Sequence, residues 1–202
     1  MPISNANATP SAWPDGLLLT YYGDDFTGST DVMEAFTAAG IPTVLFLEVP
    51  RVDDLTRFGH MRCIGLAGQS RGKSPEWMQH ELPAVFERLH AMGAPVLQYK
   101  VCSTFDSSPR VGSIGQAVDL GVKTVGSTWS PMVVGAPRLK RYQVFGHLFA
   151  AANGAVHRID RHPTMSRHPV TPMQMPGVTH RVRTCTSRGC TPCRWPRPGG
   201  CW

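Results

Sequence analysis

Gly16-Leu17-Leu18-Leu19-Thr20-Tyr21-Tyr22, followed at once by Gly23-Asp24-Asp25-Phe26-Thr27-Gly28, is the stretch that decides the fold. The first seven residues form a short continuous apolar run, the pattern of a strand buried on both faces. The next six form a polar loop at the end of that strand. Residues 29–39 have helical composition and stop at Gly40, which suits the left-handed turn that closes a helix. The same order then repeats along the chain. Residues 43–47 predict a second strand and 62–67 a third. A polar loop at 68–74 leads to Pro75 at a first helical position, and that helix should run to about Met92 with Gly93 behind it. Residues 95–101 predict a fourth strand, 102–110 a polar loop, and 111–120 another helix. Met132-Val133-Val134 and Gln143-Val144-Phe145 are later strand candidates. The expectation is an α/β fold: a parallel sheet with helices on both faces, Rossmann-like and three-layered, followed by an irregular tail. No internal repeat is visible. Ligands of such sheets bind at the carboxyl ends of the strands, so the loops at 23–28, 68–74 and 102–110 should converge on one crevice.

Composition narrows the function classes. The 202 residues suffice for one domain with a sizeable core. A formal charge of +6 would suggest nucleic acid or an acidic membrane surface. Its distribution argues otherwise. Residues 174–202 hold Arg181, Arg183, Arg188, Arg194 and Arg197 and no acid, which leaves the first 173 residues close to neutral. Neither nucleic acid nor membrane is expected as a partner. Cysteine is split the same way: Cys63 and Cys102 stand alone before residue 174, while Cys185, Cys190, Cys193 and Cys201 crowd the end. Two scattered thiols suit a reducing cytoplasm, the expected location. No apolar run approaches the ~20 residues of a membrane span. Residues 1–14 lack the basic and apolar regions of a signal peptide, and 1–15 reads as a disordered lead-in.

Three loops carry the candidate chemistry. Paired carboxylates such as Asp24-Asp25 can take a hydroxyl proton, bind sugar hydroxyls or hold a metal. The alternative is an acidic turn capping the next helix through Thr27 or Ser29. Gly68-Gln69-Ser70-Arg71-Gly72-Lys73-Ser74 falls one residue short of a phosphate-binding loop and follows the third strand rather than the first. An anion site built from Ser70 and Arg71 fits better, with Lys73 solvated. Residues 100–109 are dense in donors and acceptors. Lys100 can neutralise an acid, while Ser103, Thr104, Asp106 and Ser107 can read hydroxyls; the alternative is a hydroxyl-rich turn beside a snorkelling lysine. Cys102 reads as a small buried hydrophobe. His147 and the proline-held stretch 161–173 add imidazoles and guanidiniums, but His162 and His168 match no metal pair. The single CxxC at Cys190–Cys193 lacks a second pair, so no metal site is expected.

Taken in order, Asp24-Asp25-Phe26-Thr27-Gly28, Ser70-Arg71, the run Tyr99 to Ser108, Gly146-His147-Leu148-Phe149 and His168-Pro169-Val170-Thr171-Pro172-Met173 resemble the N-terminal domain of the four-carbon acid sugar kinase family. This is the former DUF1537 family, some of whose members carry an Hrp-dependent type III effector label. The resemblance covers residues 17–173. It implies a two-domain kinase, a transferase of carbohydrate metabolism. The N-terminal domain would bind an acid sugar such as threonate, erythronate or 3-oxo-tetronate, and a C-terminal domain would bind ATP with magnesium. Carried over by motif, Asp24 and Asp25 would contact the substrate, one of them as base. Arg71 and Lys100 would grip its carboxylate. Thr27, Ser70, Ser103, Thr104 and Asp106 would bind around it, with His147 and Thr171 completing the pocket. Phosphoryl transfer of this kind rests on positioning and charge stabilisation.

The departure from the family lies at the end. Residues 174–202 contain no glycine-rich nucleotide motif and no apolar periodicity. The expected domains are therefore the lead-in 1–15, an acid-sugar-binding domain 16–173 and a disordered basic tail 174–202, with the ATP domain missing. Our hypothesis is that the tail is read out of frame, because the break directly follows a family motif and Arg, Pro, Gly, Cys and Trp are what a GC-rich gene yields in a wrong frame. Resequencing from codon 165 onward tests this, and a confirmed frame with no second domain downstream would sink it. On this reading the chain is the substrate-binding part of a kinase, unable to turn over ATP by itself or to hold ATP and magnesium alone. The alternative is a non-catalytic, effector-like binding protein with a functional basic tail. A dinucleotide-dependent dehydrogenase would need a GxGxxG after the first strand, which residues 23–28 do not supply.

Overall fold

The computed structural model describes residues 13–127, 130–144 and 147–165. The tail 174–202, the motif at 168–173 with Thr171, Phe145-Gly146 and the first twelve residues of the lead-in lie outside the described residues.

The opening run forms β1 (Leu19–Gly23), all five residues of which are buried. It is followed by α1 (Phe26–Ala38), β2 (Thr43–Phe46), α2 (Val52–Arg57), β3 (Cys63–Ala67), α3 (Pro75–Ala91), β4 (Val96–Lys100) and α4 (Ile114–Val125). The four strands make one parallel sheet in the order β2-β3-β1-β4. β1 is therefore central, and the chain crosses over it between β3 and β4. Alternate β1 side chains serve opposite layers, as the two-residue period of a strand requires. Leu19 and Tyr21 pack with Val32 of α1 and Cys63. Tyr22 faces the other way, into Met78, Leu82, Phe86 and Leu89 of α3 and Ala117 of α4. The expected three layers, with helices on both faces, are present.

Several boundaries differ from the sequence reading, each for a local reason. α1 starts at Phe26 rather than Ser29, because the Asp25 side chain caps it by accepting from Gly28 N at 2.6 Å; neither Thr27 nor Ser29 is the cap. α4 starts at Ile114 rather than near Val111. Gly112 there takes φ +60, and the Ser113 side chain accepts from Gln116 N. The short α2 was not expected, since its single polar turn carries no apolar periodicity.

The larger correction concerns the later strand candidates. Residues 132–134 form no strand; the Gln143 side chain accepts from Val134 N and donates to Met132 O instead. Residue 143 does lie in a strand, but not in the parallel sheet. It belongs to β5 (Arg141–Val144), which pairs antiparallel with β6 (His147–Ala152), itself antiparallel to β7 (Ala155–Arg158). The β6–β7 turn uses Asn153 and Gly154, both at positive φ, the geometry that a two-residue hairpin demands. This second sheet has its own core of Leu148, Ala150 and Ile159, joined by Val134, Ile114 and Phe105.

Candidate active site

β3, β1 and β4 are neighbours, so the loops that follow them meet at one edge of the sheet. Backbone hydrogen bonds join them: Gly68 N donates to Gly23 O, Asp24 N to Lys100 O, Arg71 N to Asp24 O, and Gly112 N to Lys73 O. All four distances lie between 2.8 and 3.0 Å. Glycine is required at the tightest of these approaches. A Cβ on Gly112 would lie 2.3 Å from the Arg71 carbonyl oxygen, and one on Gly68 would strike the Tyr22 ring.

The side chains on this scaffold form an ordered charged group. Arg71 Nη1 donates to Asp25 Oδ2 at 2.8 Å, while its Nη2 binds Asp106 Oδ2 and reaches Thr104 Oγ1 at 3.4 Å. Thr104 Oγ1 lies 2.8 Å from Asp106 Oδ2 and 3.3 Å from Cys102 Sγ. One guanidinium thus joins the β1 loop to the β4 loop, as its planar fork allows. Lys100 Nζ donates to Val101 O at 2.7 Å and hangs over the start of α1, where a Cβ on Gly28 would lie 3.1 Å from it.

The paired carboxylates have different environments. Both oxygens of Asp25 are engaged, one by the helix cap and one by Arg71. Asp24 is 2% exposed, and its Oδ1 is buried without a hydrogen-bond partner among the described residues. Burial, then the neighbouring Asp25, pushes its carboxyl up to about 7, against the opposing pull of Arg71 and Lys100. Burial dominates because removing a carboxylate from water penalises its charged form.

Of the residues expected from sequence, Asp24, Asp25, Arg71, Lys100, Thr104 and Asp106 come together here. Ser70 is close but fully buried, and its Oγ lies 2.8 Å from Tyr99 OH, which makes it a support beneath the loop. Thr27 is exposed in the first turn of α1, and Ser103 is half-buried in the turn after β4. Ser107 Oγ accepts from Ile114 N, serving the start of α4. Lys73 lies over the Trp77 ring at 5.5 Å. His147 opens β6 with its ring edge-on to Phe149 and its Nδ1 buried. No hydrogen bond or ring contact among the described residues joins it to Arg71. Thr171 lies outside the described residues. Two participants were not singled out from sequence: Gly112, under the Arg71 turn, and Tyr99, which stacks on Tyr22 at 5.8 Å and reaches Ser70. Tyr99 opens the 99–108 run that carries the resemblance, but no sequence signal assigned its ring a part in the site. Among the described residues no group of three His, Cys, Asp or Glu is arranged to hold a metal ion, and no helix is long and apolar enough to cross a membrane.

Comparison with known proteins agrees with this architecture. The chain matches the sugar-binding N-terminal domain family over residues 19–192. It is 67% identical over 187 residues to a 3-oxo-isoapionate kinase of Paraburkholderia graminis, covering 93% of this chain and 39% of that protein. It is 31% identical to a 3-oxo-tetronate kinase of Pectobacterium atrosepticum, over 74% of this chain and 33% of the other. The chain therefore spans between a third and two fifths of the length of these curated relatives, and the family match and the match to the Paraburkholderia graminis kinase continue past Met173. Among solved structures, a DUF1537 protein of Bordetella bronchiseptica, crystallised with citrate as a domain-swapped dimer, superimposes with a TM-score of 0.58 at 22% identity. That likeness covers 80% of this chain and 40% of that one and concerns the fold alone. The crevice at the ends of β3, β1 and β4 is thus set in a fold these proteins share, and the chain belongs to the sugar-binding N-terminal domain family, the N-terminal domain of the four-carbon acid sugar kinases.

Proposed function

We propose that this chain is the acid-sugar-binding part of an ATP-dependent kinase and that its substrate is a small 3-oxo sugar acid. The observation that carries this reading is the meeting of Asp24, Asp25, Arg71, Lys100, Thr104 and Asp106 at the carboxyl ends of three adjacent strands. Such a cluster offers cations for a carboxylate and acceptors for hydroxyls in one crevice. The 67% identity to a 3-oxo-isoapionate kinase, against 31% to a 3-oxo-tetronate kinase, favours the former acid. ATP and magnesium belong, in this reading, to the rest of the kinase, the three fifths of the relatives' length that this chain does not span. Asp24 is the proton acceptor for the substrate hydroxyl that attacks the phosphoryl group. Its raised carboxyl matches proton transfer near neutrality, whereas Asp25 is committed to the helix cap and to Arg71.

Titration calorimetry tests the substrate. The chain should bind 3-oxo-isoapionate more tightly than 3-oxo-tetronate, with no ATP-dependent turnover by these 202 residues. Equal or absent binding of the two acids would refute the substrate assignment. Phosphorylated product from this chain alone would refute the division of labour between it and the rest of the kinase.

A further inference from the structure

The two cations of the crevice differ in what they already hold. The Arg71 guanidinium carries two carboxylates on separate nitrogens, Asp25 on Nη1 and Asp106 on Nη2, with Thr104 beside the second. Its backbone is fixed as well, with Arg71 N donating to Asp24 O and its carbonyl closed over by Gly112. Two anions on one cation leave it with no excess charge for a third. Lys100 is the opposite case. Its ammonium has three donors, and the hydrogen bond it makes goes to the neutral Val101 carbonyl. The four salt bridges among the described residues are the two of Arg71, one of His80 and one of Arg158, and none involves Lys100. The Gly28 backbone, which has no Cβ, leaves room beside the ammonium.

Resting on the acid-sugar reading above, we propose that Lys100 alone meets the substrate carboxylate, and that Arg71 is a positioning residue that holds Asp25 and Asp106 in place without touching the acid group. Arg71 thereby sets the shape of the hydroxyl-reading side of the crevice, and Lys100 sets the preference for an acid over a neutral sugar derivative.

The two roles separate in a ratio measured within each variant. The probes are 3-oxo-isoapionate, freshly prepared, and its uncharged amide, with binding to the 202-residue chain followed by calorimetry. The unsubstituted chain should prefer the acid by about ten-fold or more, the scale of a hydrogen bond to a charged group. Lys100→Met should bring that ratio close to one, and Lys100→Arg should restore most of it. Arg71→Gln should weaken acid and amide equally and leave the ratio unchanged. Arg71→Lys should behave like Arg71→Gln, because an ammonium cannot span two carboxylates as the planar fork does. A ratio is insensitive to the fraction of a variant that folds, so partial unfolding does not obscure the result. The inference is overturned if Arg71→Gln collapses the ratio while Lys100→Met preserves it, or if both variants collapse it. Failure of the unsubstituted chain to bind the acid at all would instead overturn the substrate reading, and this inference with it.

Discussion

Asp24 and Asp25 are chemically identical neighbours, and the fold gives them different surroundings. The difference lies in which atoms the local backbone reaches. Asp25 stands at the N-cap, where its carboxylate meets Gly28 N, and Arg71 takes its second oxygen. Asp24 directly follows β1 and its side chain is buried. A group raised to about 7 from the ordinary carboxylate range holds a proton in the folded state that the unfolded chain releases. Its contribution to stability is therefore full below about pH 4 and is lost as pH rises through about 7. Asp24→Asn should remove that loss. Relative to the parent chain, the variant should gain stability steadily from pH 4 to pH 8, by a few kcal/mol in order of magnitude. Urea unfolding at a series of pH values reads this, and a difference between the two proteins that is flat with pH would refute it. Gly28→Ala tests the neighbouring residue. Its Cβ would lie 2.5 Å from Asp25 Oδ1 and 3.1 Å from Lys100 Nζ. The cap should be lost at a cost of about 1 kcal/mol, together with much of the affinity for an acid sugar. Melting curves and calorimetry on the same sample check both outcomes.

At the scale of elements, α3 and α4 hold the parallel sheet from one side through an aromatic cluster. Phe86 meets Tyr22 edge-on at 6.2 Å and Tyr99 edge-on at 6.1 Å. Those two tyrosines extend their hydroxyls under the 68–74 loop, to Gln69 N and Ser70 Oγ. Phe86→Ala should cost about 3–5 kcal/mol, and the loss should loosen the loop that presents Arg71. Denaturant unfolding gives the first number; hydrogen exchange at residues 69–73 reads the second, and unchanged exchange there would separate the core from the site. These elements were the part of the molecule most legible in sequence. The four strands of the parallel sheet are short runs bounded by glycine or polar loops, two of them buried throughout or nearly so; the sequence reading places the second, third and fourth within a residue at each end and starts the first three residues early. The convergence of three loops followed from topology alone. The second sheet was not legible in the same way. In β5, half-buried and exposed residues alternate, so the continuous-run pattern that marks the first sheet is absent, and β6 is an alanine-rich stretch with little strand preference of its own. Its pairing depends on the Asn153-Gly154 turn, a short-range signal that lay outside the βα alternation. In the site, residue types announced Arg71 and the acids, but not that Arg71 would be saturated by two of them. That depends on distances across 46 and 35 residues of chain.

For the molecule as a whole, the question is how the second sheet bears on a crevice formed by the first. The link is Phe105. It is 1% exposed and packs into the core that Leu148, Ala150 and Ile159 supply from the second sheet. It also takes φ +57, a left-handed conformation that a bulky side chain adopts at a cost of about 1–3 kcal/mol. Phe105 N donates to Cys102 O, closing a turn that leaves Thr104 and Asp106, its two chain neighbours, facing Arg71. The burial of one aromatic ring thus offsets the strain and fixes the direction of the two polar groups beside it. Phe105→Leu and Phe105→Gly separate these contributions. The leucine variant keeps an apolar anchor in the same strained backbone. The glycine variant removes the anchor and the strain together. If anchoring positions Asp106, glycine should weaken acid-sugar binding by ten-fold or more while leucine, still buried, should weaken it far less. The glycine variant should also speed hydrogen exchange in β5, β6 and β7, although the substitution lies in none of them. Equal binding by the two variants, or faster exchange confined to residues 102–110, would mean that the second sheet and the crevice are independent. The predicted pattern would mean that the antiparallel sheet acts as a brace for the β4 loop, and that the acid-sugar site depends on both sheets although its residues stand on one.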